Sequence, residues 1–257
     1  MLPEITIMHH TIPMYGVCAA VGAVLVLVYL HQYESHCSLS AAGDIDLALI
    51  FGLIGGMLGA KILYLFVNLS ALIADLHRFH FSPLIFEKYF YGGFVFYGGL
   101  FGYLLALVLY AKYEKITYRE LEKPLLPSFV LFHAFGRIGC FFTGCCYGIP
   151  TASFLGIAFT HSAYAPNGIP LFPVQLFEAG GEGILFFALH VLSKRKAPSL
   201  TGVYLLCYGV MRFILEFFRG DAYRGRIWVL SVSQALSIVS IAAGIHLILK
   251  RKKMTVK

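Results

Sequence analysis

The segment HAFGRIGCFFTGCCYG, His133–Gly148, sets one arginine, three cysteines and four glycines inside a chain otherwise dominated by apolar residues. Arg137 has no acidic residue close to it in sequence. A guanidinium at bilayer depth costs about 3 kcal/mol even on lenient insertion scales, so it must face a polar cavity or a partner. Its planar fork binds the oxygens of a phosphate or carboxylate two at a time. Glycines let backbone and ligand approach closely. These residue types suit a site that holds an anion beside hydrocarbon.

Five further ionisable residues interrupt apolar runs: Lys61, Glu178, Glu182, Arg212 and Glu216. Glu178 and Glu182 are four apart, as are Arg212 and Glu216, so each pair falls on one helical face. Tyr208 lies one turn before Arg212, and Arg219 is expected to continue that face toward the interface. Arg212 and Glu216 alone would read as a self-neutralising pair. The longer stripe, taken with Arg137, predicts a cavity of excess positive charge suited to a phosphate ester. Two arginines there would stabilise charge developing on a leaving phosphate. Glu178 reads as orienting an arginine, and Glu182 as a helix-end carboxylate. Lys61 reads equally as a snorkelling side chain or a phosphate contact. YGGFVFYGGLFG, Tyr91–Gly102, places Tyr97 between glycine pairs, where Gly98 and Gly99 expose amides to a phosphate or simply pack tightly. The series Gly52, Gly55, Gly56 and Gly59 reads as close helix packing.

The cysteines do not form a disulfide framework. Cys18 and Cys207 lie in apolar helices as small hydrophobes, and Cys37 falls in a polar connection. Cys145 and Cys146, near arginine, read as a nucleophile or redox pair, or as small-residue packing. With Cys140 their spacing is neither CxxC nor CxxCH, so neither metal nor haem is expected.

The elements that position these residues are membrane helices. The 257-residue chain is 59% hydrophobic and 13% charged, against about 25% charged in a soluble domain. Apolar runs predict an all-α polytopic protein with about seven spans: 14–31, 46–69, 91–111, 125–146, 174–192, 201–218 and 230–249. The fourth, interrupted by Arg137 and glycines, is expected to be broken or partly re-entrant. One integral membrane domain covers 1–257, with outer loops at about 70–90 and 147–173 and a basic cytoplasmic tail at 250–257. Aromatics and histidines in the first loop suit the interface. With the N-terminus out and the C-terminus in, the inner segments hold twelve lysines and arginines and the outer ones five. The net charge of +7 thus reflects topology and anionic lipids, not nucleic acid, because the basic residues are split among loops. No internal repeat suggests a transporter of inverted halves.

Together these motifs resemble the prolipoprotein diacylglyceryl transferase family. The resemblance runs in order through Met14–Gly16 (MYG), Gly55–Phe66, Tyr91–Gly102, Gly136–Gly148, Phe172–Ala179 (FPVQLFEA, with Gln175 and Glu178) and Tyr208–Asp221. It implies a bacterial inner-membrane enzyme moving the diacylglyceryl group of phosphatidylglycerol to the lipobox cysteine of a prolipoprotein signal peptide. Glycerol phosphate leaves, and no metal or organic cofactor takes part. By resemblance Arg137 and Arg212 bind and polarise the phosphate, positioned by Glu216 and Tyr208. Tyr15 and Gly148 shape the lipid pocket, and the remaining contacts fall to Lys61, Gly98, Gly99, Cys140, Cys145, Gln175, Glu178 and Arg219. The chain departs from the family pattern around the attacking thiol. Tyr97 replaces a histidine proposed to assist proton transfer. Cys140 and Thr143 replace asparagines, Cys145 a glutamate, Phe172 a histidine and Val174 a serine. A tyrosine, with its pKa of about 10, is a poor base near neutral pH. The proton acceptor must therefore be rebuilt or supplied by the phosphate. Two other readings are a diverged lipid-using transferase with another acceptor and a non-catalytic lipid-binding protein.

Overall fold

The computed structural model describes residues 3–7, 10–36, 42–79, 87, 89, 93–195, 199–221, 226–227 and 229–255. Among them the chain is mostly helical: α1 (Met14–His36), α2 (Ala42–Val67), α3 (Leu69–Phe79), α4 (Phe96–Tyr113), α5 (Tyr118–Thr143), α6 (Val174–Ser193), α7 (Leu200–Glu216) and α8 (Val232–Thr255). Short antiparallel pairs complete it: β1 (Glu4–Ile7) with β2 (His10–Pro13), β3 (Ile157–Ala158) with β4 (Pro170–Leu171), and β5 (Arg226–Ile227) with β6 (Leu230–Ser231). Cys37, His80, Phe81, Phe86, Lys88, Phe90, Lys196, Arg224 and Lys257 lie outside the described residues.

Six described helices are long and apolar enough to cross a membrane, with stretches Met14–Tyr33, Ile45–Val67, Phe96–Tyr113, Tyr118–Thr143, Val174–Ser193 and Val232–Arg251. Leu27, Met57, Ile62, Phe66, Ile184 and Phe187 are each more than half exposed on these helices. Such a surface matches hydrocarbon and would be an aggregation liability in water. This is a polytopic all-α membrane protein. The sixth expected run, 201–218, falls on α7, whose 17 residues cover about 26 Å at 1.5 Å per residue. It ends at Glu216, so Arg219 does not continue its face as expected.

The fourth expected span differs from its reading as well. α5 runs unbroken from Tyr118 to Thr143, with Pro124 and Pro127 inside it. Both prolines fall in the N-terminal half, and the Ser128 hydroxyl donates to the Pro124 carbonyl at 2.7 Å. The glycines around Arg137 do not break the helix.

The chain divides into two compact units, one of residues 1–38 with 122–257 and one of 39–121. In the second, α2 and α4 cross at glycine. A Cβ on Gly55 would stand 2.8 Å from the Gly102 carbonyl, and one on Gly52 would stand 2.6 Å from the Tyr103 ring. Gly59 and Gly98 are in backbone contact. Such approach maximises dispersion where no hydrophobic effect drives helices together. α3 is tied within this unit by the Tyr89 hydroxyl, which donates to Asp75 at 2.8 Å.

In the first unit, buried Glu122 at the α5 end accepts from the Thr201 amide and hydroxyl at 3.2 and 2.9 Å. Arg251 of α8 adds 3.0 Å to the other oxygen. One carboxylate thus joins three helix ends and sits at the α7 N-terminus, where the helix dipole favours it. The long loop expected at 147–173 is ordered. Phe141, Phe159, Ala165 and Leu171 form its core, with Tyr147 and Ile157 packed against them.

Candidate active site

Three helices of the first unit each contribute a row of polar side chains at four-residue spacing. From α5 come His133 and Arg137, from α6 Glu178 and Glu182, and from α7 Tyr204, Tyr208, Arg212 and Glu216. All four-residue neighbours share a face, so the rows meet as a ladder between helices. Glu178, Glu182, Tyr204 and Tyr208 are completely buried, and Arg137 and Arg212 nearly so.

Glu178 is the hub. Its Oε1 lies 3.1 Å from Arg137 Nε and 3.9 Å from Arg212 Nε, and it accepts from the Tyr208 hydroxyl at 3.1 Å. Arg212 Nη2 pairs with Glu216 at 2.6 Å and donates to Ser233 at 3.3 Å. Glu216 also accepts from the Ser231 hydroxyl at 2.8 Å. Arg137 Nε donates to His133 Nε2 at 3.1 Å, which puts the imidazole proton on Nδ1. That Nδ1 donates to Glu182 at 2.9 Å, and the Tyr204 hydroxyl reaches the same carboxylate at 3.3 Å. The His133 ring stands edge-on to Tyr208 at 5.6 Å, and Tyr204 stacks on Tyr208 at 5.5 Å.

Arg219 lies beyond α7, in a turn that bridges to Gly148. Asp221 takes it bidentately at 2.9 and 2.8 Å. Burial alone would lower its pKa, but Asp221 and Cys146 outweigh that and hold it above the ordinary value. The expected excess of positive charge is thus not what the described side chains present. Arg137, Arg212 and Arg219 are each matched by a carboxylate, because an unpaired charge in low dielectric is too costly. Arg212 Nη1 and Arg219 Nη1 are nonetheless buried with no hydrogen-bond partner among the described residues. Those groups face no competitor for a phosphate oxygen.

The turn after α5 carries the cysteines. Gly144 and Cys146 adopt left-handed φ of 79° and 59°, and Gln175 Nε2 donates to the Cys145 carbonyl at 2.8 Å. Gly148 has no room for a side chain: a Cβ would press on the Phe172 carbonyl and stand 2.9 Å from that of Phe218. The turn is therefore clamped between the α6 entrance and the α7 exit. The sulfurs of Cys140, Cys145 and Cys146 all lie within 4.8 Å of one another. Hydrogen bonding to Cys140 and Cys146 raises the Cys145 thiol. Hydrogen bonds from Cys140 and Cys145 hold Cys146 well below the ordinary value, aided by Arg219 and Arg137. Tyr15, half-exposed on α1, packs against Gly139 beside this turn.

The structure therefore brings together Arg137, Glu178, Tyr208, Arg212 and Glu216. It places Gln175, Gly148, Arg219, Cys140, Cys145 and Tyr15 around the adjoining turn. Lys61, Tyr97, Gly98 and Gly99 belong to the other unit. There Lys61 Nζ stands 4.8 Å from the Phe94 ring and 5.2 Å from that of Tyr64. Tyr97 is buried beside Phe96 and Phe101. Gly98 and Gly99 face the backbones of Gly59 and Gly56.

Three members of the ladder were missed or misread in sequence. His133, Glu182 and Tyr204 each stand four residues from a recognised member, and that spacing was the available signal. Glu182 is a mid-helix, fully buried carboxylate and not a helix-end one.

Comparison with known proteins shows the family. Residues 4–250 match the prolipoprotein diacylglyceryl transferase family. The phosphatidylglycerol–prolipoprotein diacylglyceryl transferase of Clostridium tetani is 35% identical over 233 residues, 90% of each chain. A second enzyme of that name from Clostridium perfringens is 37% identical over 202 residues, 78% of this chain and 76% of its own. The Cupriavidus pinatubonensis enzyme is 33% identical over 244 residues, 91% and 85%. The chain is a member of the prolipoprotein diacylglyceryl transferase family.

Proposed function

We propose that this protein transfers the diacylglyceryl group of phosphatidylglycerol to the lipobox cysteine of a prolipoprotein signal peptide. It does so as one multi-pass domain of the bacterial inner membrane, with the N-terminus out and the C-terminus in. The thiol sulfur attacks the glyceryl carbon that carries the phosphate ester. That carbon–oxygen bond breaks, a thioether forms, and glycerol phosphate leaves with the bonding electrons. The thiol proton goes to the leaving phosphate or to solvent.

The observation that carries this reading is the buried Arg137–Glu178–Arg212 cluster in a chain of this family. A phosphate entering beside it meets guanidinium groups already oriented by carboxylates, so little reorganisation accompanies charge development. Arg137 and Arg212 bind and polarise the phosphate. Glu178, Tyr208 and Glu216 hold them in place, and Nη1 of Arg212 and of Arg219 donate to further oxygens. Gln175 and Gly148 shape the turn at which Cys140 and Cys145 meet the incoming thiol, and Tyr15 closes it toward lipid. Lys61, Gly98 and Gly99 serve the lipid, and Tyr97 takes the position of the family's histidine.

The test is complementation of a strain depleted of its own diacylglyceryl transferase, with lipoprotein modification read by mass spectrometry. Growth with a diacylglyceryl thioether on the lipobox cysteine is the expected result. Unmodified preprotein despite full expression would refute the assignment.

A further inference from the structure

The reaction alkylates a thiol, and three sulfurs converge where the end of α5 meets the turn after it. We propose, resting on the transferase reading, that Cys140, Cys145 and Cys146 bind a thiophilic divalent cation, zinc above others, whose fourth position takes the acceptor thiol.

Geometry and ligand count support this. Zinc–thiolate bonds of about 2.3 Å in a tetrahedral site require sulfurs roughly 3.8 Å apart. The three sulfurs lie within 4.8 Å, each is only partly buried, and no disulfide joins them. Cys146 holds φ of 59°, uncommon for a residue with a side chain, and Gln175 donates to the neighbouring Cys145 carbonyl at 2.8 Å.

Three thiolates and a divalent cation would carry one net negative charge. Among the described residues no fourth histidine, cysteine or carboxylate joins the group. His133 and Glu182 are engaged with each other, and Asp221 with Arg219. Three protein ligands with a vacant fourth position is the arrangement of a catalytic zinc, whereas a structural one is closed by four.

The chemistry then balances without a protein base. The acceptor thiol binds the cation and releases its proton to solvent, since a coordinated thiol is deprotonated outright. The bound sulfur attacks the glyceryl carbon, and the electron pair of the breaking carbon–oxygen bond stays on the phosphate. The neutral thioether is a weak ligand and departs, and the cation keeps its three cysteines. No oxidant or reductant is needed.

The experiment measures zinc in the full chain, purified in detergent without chelator and exposed to zinc alone. About one zinc per chain is expected, falling at least tenfold in C140S/C145S/C146S. Cobalt loading should give a thiolate-to-cobalt absorption band. A cysteine-bearing lipobox peptide should shift that band, and its serine counterpart should not. Should the triple variant misfold, Cys146→Ser alone must shift the band and weaken zinc binding at least tenfold. Wild-type chain taking up no more zinc than these variants overturns the proposal, as does full transfer by zinc-free enzyme, which leaves the transferase reading intact. Chain that binds zinc but transfers nothing from phosphatidylglycerol keeps the cation site and removes the transferase reading together with the acceptor role.

Discussion

The two units solve the same problem, holding helices together in hydrocarbon, by opposite means. In residues 39–121 the α2–α4 crossing is made of glycine and backbone, with the Tyr103 ring laid against Gly52. In the other unit α5, α6 and α7 meet through carboxylates, guanidinium groups, an imidazole and two phenols. The first arrangement gains dispersion energy from close backbone approach. The second holds charges that hydrocarbon penalises, and each survives only through its partner. A stable helix pair needs the first kind alone. The second goes beyond what assembly needs, which supports the proposed role of the arginines in holding an anion.

This contrast can be broken by substitution. The largest effect is expected for Arg137→Ala and Arg212→Ala, each lowering transfer by at least about 10²–10³-fold, as for loss of a preorganised charge-stabilising donor. Full turnover by either variant in a detergent assay would reduce the ladder to scaffolding. Glu178→Gln should cost about 3–5 kcal/mol of stability, because two buried guanidinium groups lose their shared counter-charge. A thermal melt in detergent unchanged from wild type would show that the hub is dispensable.

Gly98→Leu, in the other unit, should cost about 1–3 kcal/mol through overpacking, with the ion pairs of the first unit untouched. Tyr97→Phe sharpens the question of the proton. Removing a true general base costs about 10²–10⁴-fold, and we expect less than tenfold here, with Tyr97→His raising turnover. The smallest effect concerns pH. Cys146 is held below the ordinary thiol value, so its thiolate should persist, and alkylation by iodoacetamide stay fast, well below the usual thiol pKa of about 8.5. Arg219→Ala removes a positive charge that favours the thiolate, so the alkylation profile should move to higher pH. A profile that does not move would exclude that coupling.

Much of the fold is legible along the chain. Long apolar runs leave the helix no alternative in lipid, since every backbone group must be satisfied within its own segment. Six of the expected runs fall on α1, α2, α4, α5, α6 and α8, each long and apolar enough to cross, and the run 201–218 falls on the shorter α7. Errors fell where local sequence is ambiguous. Glycines near Arg137 suggested a break, but α5 runs through them to Thr143. Arg219 looked like the next turn of α7, but the chain leaves the helix at Glu216 to bridge Gly148.

By itself, the sequence determined that ionisable residues enter the membrane and which of them share a helical face, because a 3.6-residue period follows from backbone geometry alone. It also supplied the ordered motifs of the family. Only the tertiary structure decided the partners: Glu178 with Arg137, Glu182 with His133, Gln175 with the Cys145 carbonyl. These pairs lie 41, 49 and 30 positions apart, as the residue numbers show. Periodicity carries no information across such gaps, since pairing depends on which helix faces dock. The meeting of Cys140 with Cys145 and Cys146 has the same origin. Their spacing fits no common ligand pattern, and only a left-handed turn after α5 folds the later sulfurs back onto the first.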